Sequence, residues 1–154
     1  MRLALYQPDI PQNLGAAIRI AACWATPLDV IEPCGFPLTD KALARAAMDY
    51  GAHAEIHRHG SFAAFLEAPQ RKAGRLVLVE TDGAAMLTAF AFLPGDTLLL
   101  GRESAGTPQP VYSAVDAVVR IPMAAGMRSL NVAVAGAVAL AEALRQTGGF
   151  DGLS

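Results

Sequence analysis

The strongest contrast in the sequence lies at the start of its last apolar segment. Arg128, Ser129 and Asn131 stand directly before residues 132–141, a run in which every residue is apolar or glycine. Free backbone amides and polar side chains at the start of a helix can meet a ligand. A helix-capping role explains Ser129, whereas Asn131 in the first turn of so apolar a helix is unfavourable unless it has a partner. The pattern indicates a ligand site at this helix start, with Ser129 as the predicted cap.

Two further segments place a charge beside glycine or an apolar face. In GRESAGTP, Gly101 and Gly106 bracket Glu103 directly after the apolar run TLLL, so the backbone could line a pocket with the carboxylate at its mouth. In NLGAAIR, Asn13 is a potential helix cap and Arg19 is the one charge on an otherwise apolar helix. The alternative for Glu103 is a solvated residue in a tight turn, and the alternative for Arg19 is an exposed residue without a function. A single glycine in NLGAAIR argues against a dinucleotide-binding fingerprint.

The elements that must position these residues alternate between short apolar strands and segments of helical periodicity. The predicted strands are RLALY, LDVIEP, AEIHRH, RLVLVET, DTLLLG and AVVRIP. The predicted helices span residues 11–25, 38–51 (capped by Thr39 and ended by Gly51), 61–68 (capped by Ser61) and 129–146. Such alternation predicts an α/β fold with a mainly parallel sheet and helices on both faces. We expect one domain over residues 1–154, with ligands at the carboxyl ends of the strands.

Composition narrows the class of protein. The chain is 53% hydrophobic and 17% charged, and so much apolar surface in 154 residues favours a second buried surface, such as a dimer interface. No apolar run is long enough to span a bilayer, and the N-terminus turns polar too soon for a signal peptide, so a cytoplasmic protein is expected. The net charge of −2 argues against non-specific coating of nucleic acid.

Cysteine and histidine positions do not predict a metal site. Cys23 and Cys34 form no CxxC pair, and in a cytosolic chain they are expected to be free thiols. His57 and His59 could share one face of a strand, but no third ligand stands at a convincing spacing. We therefore expect no bound metal.

The segments NLGAAIR, LLLGRESAG and RIPMAAGMRSLNVAVAGAVAL resemble, in order, spacing and placement after strands, the three motifs of the SPOUT-class RNA 2′-O-ribose methyltransferases. The resemblance covers essentially the whole chain, and the third motif is the most specific. The segments LYQPDIPQNLGAAIR, IEPCGF and ARAAMDYG are most similar to small members that methylate the wobble nucleotide of tRNA, cytidine or uridine 34. Gln7, Arg102 and Gly136 depart from the pattern, which leaves the choice of tRNA open.

The resemblance implies a C-terminal trefoil knot, a homodimer, S-adenosylmethionine as cofactor and a tRNA anticodon loop as partner. The implied catalytic residues are Arg19, Glu103, Ser129 and Asn131. Arg is a poor base because its pKa exceeds about 12, so Arg19 is expected to hold a phosphate and stabilise the developing alkoxide. Ser129 and Asn131 would orient the hydroxyl or cofactor, and Glu103 would orient Arg19 or a cofactor group. The implied cofactor-binding residues are Val79, Thr81, Leu100, Gly101, Gly106, Ile121, Met123, Ser129 and Leu130.

Three alternatives stay open at this point. The enzyme could act on another tRNA position or on ribosomal RNA. The chain could be a non-catalytic RNA-binding protein of the same fold, although the intact set of four polar residues argues against that. An unrelated α/β domain that binds a nucleotide would also explain the alternation of elements.

Overall fold

Seven parallel strands form one sheet in the computed structural model, which describes residues 1–153. The sheet order is β3-β2-β1-β6-β4-β7-β5. The strands are β1 (Arg2–Tyr6), β2 (Leu28–Ile31), β3 (Ile56–His59), β4 (Leu76–Val79), β5 (Ala85–Met86), β6 (Thr97–Leu100) and β7 (Ala117–Arg120). The helices are α1 (Pro11–Cys23), α2 (Asp40–Ala47), α3 (Phe62–Glu67), α4 (Pro69–Lys72), α5 (Gln109–Tyr112) and α6 (Val132–Thr147). The predicted α/β class and the six predicted strands are confirmed.

Helices cover both faces of the sheet, as the apolar strand sequences require. All residues of β2, β4 and β6 are buried. On one face, strand residues pack with Leu14 and Ile18 of α1 and Leu140 of α6. On the other face, they pack with Phe65 of α3 and Val111 of α5. The core therefore lies in two layers on either side of the sheet.

The helix starts differ from the predicted ones at two functional positions. Pro11 opens α1 with Ile10 as the residue before it, so the prediction that Asn13 caps this helix is wrong. A proline at the first helical position has the fixed backbone angle that a helix needs and no amide to satisfy. Asn131 caps α6 by accepting from the backbone amides of Ala133 and Val134, so the prediction that Ser129 is the cap is also wrong.

The other predicted boundaries agree more closely with the structure. Thr39 caps α2 and Ser61 caps α3, as predicted. Helix α2 ends at Ala47, and a short 3₁₀ turn over Met48–Tyr50 then leads to Gly51. The sequence did not predict β5, α4 and α5, which have only two to four residues each.

Helix α6 packs directly on the centre of the sheet. Gly136 makes the close approach possible, since a Cβ at this position would lie 2.6 Å from Cδ1 of Leu100 in β6. The chain runs from β4 to the edge strand β5, back across β4 to β6, and then to β7 before α6 begins. This path is consistent with the implied trefoil knot, which itself stays a prediction. Among residues 1–153, no helix has the length and apolar character needed to cross a membrane.

Candidate active site

The loops that follow β4, β6 and β7 surround a cavity of about 330 Å³, together with the starts of α1 and α6. Nine residues were expected to bind the cofactor, and eight of them line this cavity: Val79, Thr81, Leu100, Gly101, Ile121, Met123, Ser129 and Leu130. Gly106 lies outside the lining, in a turn where its φ is +67° and where it bridges to Arg102. The left-handed backbone at this position favours glycine, and contact with the cavity is not the reason for it.

A chain of side-chain hydrogen bonds joins three of the elements around the cavity. Asn131 Nδ2 donates to Asn13 Oδ1 over 2.9 Å, and Asn13 Nδ2 donates to Glu103 Oε1 over 3.0 Å. The second oxygen of Glu103 accepts from the backbone amide of Asp9 at 2.8 Å. The partner that the sequence required for Asn131 is therefore Asn13, which is only 7% exposed. The sequence interpretation missed Asn13 as a bridge because it assigned this residue to a helix cap.

Arg102, a departure from the family pattern, lies on the loop after β6 and binds Asp9 on the loop after β1. Its Nε lies 2.7 Å from Asp9 Oδ1, and the amide and hydroxyl of Ser104 both donate to Asp9 Oδ2. Partial burial raises the pKa of Asp9, but the hydrogen bonds from Ser104 and Arg102 outweigh it and hold that pKa below its usual value. Asp9 therefore stays ionised and ties the loop after β1 to the loop after β6.

Glu80 is a cavity-lining carboxylate whose side chain the sequence interpretation did not assign. Its Oε2 accepts from Thr107 Oγ1 at 2.8 Å, and its Oε1 lies 3.2 Å from the backbone amide of Thr81. A Cβ on Gly101 would collide with Thr107 Oγ1 and lie 2.9 Å from Glu80 Oε2, so only glycine leaves room for this pair. The available signal was the position of Glu80 immediately after a buried strand, where ligands are expected.

The cavity combines an apolar interior with a few polar groups whose positions are fixed. Val79, Leu100 and Ile121 supply apolar surface between the polar loops. Glu103 and Glu80 each accept one hydrogen bond from the protein on each carboxylate oxygen, and each oxygen keeps a second lone pair that can accept from a ligand. Such a site suits a ligand with a flat apolar part and hydroxyl or cationic groups at its edge.

The structure brings together three of the four expected catalytic residues. Ser129 and Asn131 line the cavity with Glu103, and within residues 1–153 the Ser129 hydroxyl has no hydrogen-bond partner. Arg19 lies elsewhere: its guanidinium stands 4.8 Å from the centre of the Tyr50 ring and 3.9 Å from Met48 Sδ. The sequence interpretation in which Glu103 orients Arg19 therefore does not hold within one chain.

Helix geometry explains why Arg19 is separated from the cavity. Asn13 and Arg19 are six residues apart, which on an α-helix is about 600° of rotation and places them on different flanks of α1. Arg19 lines a second cavity of about 750 Å³ between α1 and α2. The sequence motif contains both residues, but its spacing alone did not show that they face different flanks of the helix.

Two of the three histidines, His57 and His59, have acidic partners of their own. His59 Nε2 lies 2.7 Å from Asp29 Oδ1, and Asp29 also pairs with Arg2. His57 Nε2 lies 2.7 Å from Glu55 Oε1. Over residues 1–153, no group of three His, Cys, Asp or Glu side chains is arranged to hold a metal ion.

Burial, with the nearby Glu32 charge, raises the pKa of Cys34 to about 11, so this thiol stays protonated at neutral pH.

Comparisons with known proteins give the family. Residues 1–141 match the model of the SpoU rRNA Methylase family. A tRNA (cytidine(34)-2′-O)-methyltransferase from Ancylobacter novellus is 53% identical over 150 residues, covering 97% of this chain and 95% of that protein. A solved structure from work on the 2-OH methylation of C/U34 on tRNA has a TM-score of 0.86 and 45% identity, with 94% of each chain covered.

A further structure holds the family cofactor. The SpoU methyltransferase AviRb from Streptomyces viridochromogenes, solved in complex with AdoMet, has a TM-score of 0.83 and 28% identity to this chain. The match covers 95% of this chain and 60% of AviRb. These similarities confirm the resemblance that the three sequence motifs carry. The chain belongs to the SpoU rRNA methylase family, and the cavity at its three post-strand loops is the part of the fold that those motifs build.

Proposed function

We propose that this protein transfers a methyl group from S-adenosylmethionine to the ribose 2′-hydroxyl of cytidine or uridine 34 in tRNA. The observation that carries the proposal is the convergence of all three motifs on one cavity that eight of the nine expected cofactor residues line. It is supported by the Ancylobacter relative, a tRNA (cytidine(34)-2′-O)-methyltransferase that matches nearly the full chain.

The residues present in the cavity fit this cofactor. Val79, Leu100 and Ile121 offer apolar surface to an adenine ring, and Gly101 keeps the backbone open beside it. Glu80 offers a carboxylate to ribose hydroxyls or to an ammonium group. When bound, the cofactor supplies an activated methyl group, so the chain needs no metal to polarise the donor.

The chain's own task is to position the ribose hydroxyl and to stabilise the charge that develops on its oxygen. Alignment of two reactants can lower a barrier by several kcal/mol. The free Ser129 hydroxyl and the fixed amide of Asn131 stand at the cavity, where they can orient that hydroxyl. Arg19 carries a permanent positive charge that can stabilise the oxygen or the adjacent phosphate. Recognition of the 2′-hydroxyl also distinguishes RNA from DNA.

An exposed apolar stripe beside the cavity supports a homodimer. The stripe consists of Ile10, Leu130, Val134 and Val138, which are between 40% and 50% exposed. Ile10 and Leu130 also line the cofactor cavity, so a partner that covers the stripe lies at its mouth. We infer that two chains pack with twofold symmetry through this stripe and that Arg19 of one chain serves the cavity of the other. This arrangement accounts for the distance of Arg19 from its own cavity.

Domain organisation and location are part of the same proposal. All seven strands join one sheet, which supports a single domain over residues 1–154, although Ser154 lies outside the described residues. A cytoplasmic location fits an enzyme whose substrate is tRNA.

The function is tested by mass mapping of 2′-O-methyl nucleosides in tRNA from cells with and without the gene. The expected result is loss of 2′-O-methylation at nucleotide 34 alone, with restoration by purified protein and S-adenosylmethionine in the presence of a chelator. Loss at another tRNA position or in ribosomal RNA would support one of the alternatives. An unchanged modification map would contradict the proposal.

The homodimer is tested by sedimentation of the wild-type protein and of a Val134→Asp/Val138→Asp variant. The wild type is expected to sediment as a dimer at micromolar concentration, because the stripe buries apolar surface at the interface. The double variant is expected to shift towards monomer, since it buries two unpaired charges there. A well-folded wild-type monomer at that concentration would count decisively against the dimer.

Arg19→Ala is expected to lower the single-turnover rate about 100- to 1000-fold, because one preorganised charge is worth about 3–4 kcal/mol in such sites. Its affinity for S-adenosylmethionine is expected to stay close to wild type, since Arg19 is proposed to act on the ribose oxygen or the adjacent phosphate of the RNA and not on the cofactor. Arg19→Lys should restore little, because a point charge does not reproduce the planar fork. A folded Arg19→Ala protein with near-normal turnover would place the active site elsewhere.

Mixed dimers decide whether Arg19 acts on the partner's cavity. Subunits carrying Arg19→Ala are mixed with subunits carrying Asn131→Ala, each inactive or weak alone. Random mixing of equal amounts makes about half of the dimers mixed. If Arg19 acts across the dimer, each mixed dimer has one complete site out of two, so activity returns to about a quarter of wild type. No recovery despite confirmed mixed dimers would mean that Arg19 serves its own chain.

A further inference from the structure

Most positive charges in this acidic protein are already neutralised by the fold. Of its twelve Lys and Arg residues, eight make ion pairs with carboxylates or donate to backbone carbonyls: Arg2, Arg58, Arg71, Lys72, Arg75, Arg102, Arg120 and Arg145. Within residues 1–153, the other four have no such partner: Arg19, Lys41, Arg45 and Arg128. Because the overall charge is −2, the position of these four decides where a polyanion can approach.

Two of the four unpaired cations line the groove between α1 and α2, and a third stands one helical turn from it on α2. Arg19 of α1 and Arg45 of α2 line the cavity of about 750 Å³ from opposite sides. Lys41 stands four residues before Arg45, so the two side chains are neighbours on one face of α2. Both are exposed. We name Arg19, Lys41 and Arg45 the cationic face.

Carboxylates near the cationic face leave its charge largely uncompensated. No Asp or Glu lines the groove among the described residues. Asp40, beside Lys41, is engaged by Arg58, with Nη1 3.2 Å from its Oδ1. Asp49, on the turn after α2, is the nearest acid along the chain without an ion pair within residues 1–153. Of the two acids on α2 and the turn that follows it, Asp49 is therefore the one without an ion pair in the part of the chain that the structure describes.

The floor of the groove is apolar. Phe36, Pro37, Ile20 and Met48 line it between the two arginines. Proteins that hold single-stranded RNA combine cations along the phosphates with apolar or aromatic surfaces for the bases. A groove with this floor and these walls matches that requirement, and its volume lies within the range of about 300–1,000 Å³ that is typical of ligand clefts.

We propose that the cationic face binds the phosphate backbone of the RNA strand that carries the target ribose. The inference rests on the proposed function, and it names the surface on which that substrate lies. The face includes Arg19, so an RNA strand held there runs directly to the residue proposed to act at the reacting hydroxyl. Lys41 and Arg45 lie on α2, away from the apolar stripe on α6, so the proposed dimer leaves them open to RNA while Arg19 reaches the partner's cavity.

The test measures the affinity of a synthetic anticodon stem-loop RNA for the dimer at several salt concentrations. The variants are Lys41→Gln, Arg45→Gln and the double variant, and Lys72→Gln is the control because it removes an exposed positive charge that is already paired with Glu67. Each lost phosphate contact is expected to flatten the slope of log K against log salt by about 0.7–0.9. Near 0.1 M salt, this corresponds to about five- to eightfold weaker binding per residue. The control should bind RNA as wild type does, and S-adenosylmethionine affinity should not change in any variant.

Unchanged RNA affinity and salt slope in the double variant would overturn the inference. So would a double variant that loses RNA binding only because it no longer forms the dimer, as seen by sedimentation, since the face would then be a contact between copies of the chain. These outcomes leave the proposed function intact if the wild-type protein still methylates nucleotide 34. A wild-type protein that neither binds nor methylates the stem-loop would contradict both.

Discussion

The hydrogen bonds that run from Asn131 through Asn13 to Glu103 hold the start of α6, the first turn of α1 and the loop after β6 in one arrangement. Each group in the chain has a single orientation that satisfies its neighbours. The Asn131 carbonyl oxygen accepts from the first amides of α6, so its nitrogen must face Asn13. The Asn13 oxygen then faces Asn131, and its nitrogen faces the carboxylate. Partly buried polar networks of this kind are stable only when every member is paired.

This constraint separates the two flanks of α1. Asn13 turns one flank towards the cofactor cavity and the apolar stripe, and Arg19 consequently faces α2 and the second groove. The cavity can then bind a largely uncharged adenosine against apolar surface, while the positive charge that an RNA strand needs stays on another surface. A catalytic centre that requires both must bring two surfaces together, which gives the proposed dimer a role beyond stability.

Much of the fold and part of the site could be predicted from sequence. Continuous apolar runs such as TLLL identify strands that are buried on both faces, and their order with the helices determines the parallel class. The segment that starts at Gly101 after one apolar strand and the segment that leads to Ser129 after another located the cavity, because parallel strands end at the same edge. These predictions depend on local pattern, which the sequence contains directly.

The remaining errors concern contacts between segments far apart in the chain. Asn13 and Asn131 are 118 positions apart, and their pairing changed the expected role of both. Ser129 was the expected cap since serine favours that position, but Asn131 takes it because the same side chain can also bond to Asn13. The direction in which Arg19 points depends on how α1 packs between the sheet and α2, and periodicity along the sequence does not show that packing.

If this network holds the cofactor cavity as a unit, Glu103 and Asn131 contribute jointly to cofactor binding, and a double-mutant cycle measures that dependence. Within residues 1–153, Asn13 is the side chain that hydrogen-bonds to both Glu103 and Asn131. Glu103→Ala, Asn131→Ala and the double variant are titrated with S-adenosylmethionine by calorimetry in the presence of a chelator, and thermal melts confirm folding. We expect a coupling free energy of about 1 kcal/mol or more, because either substitution alone already releases Asn13. Effects on binding that add to within about 0.3–0.5 kcal/mol would contradict it.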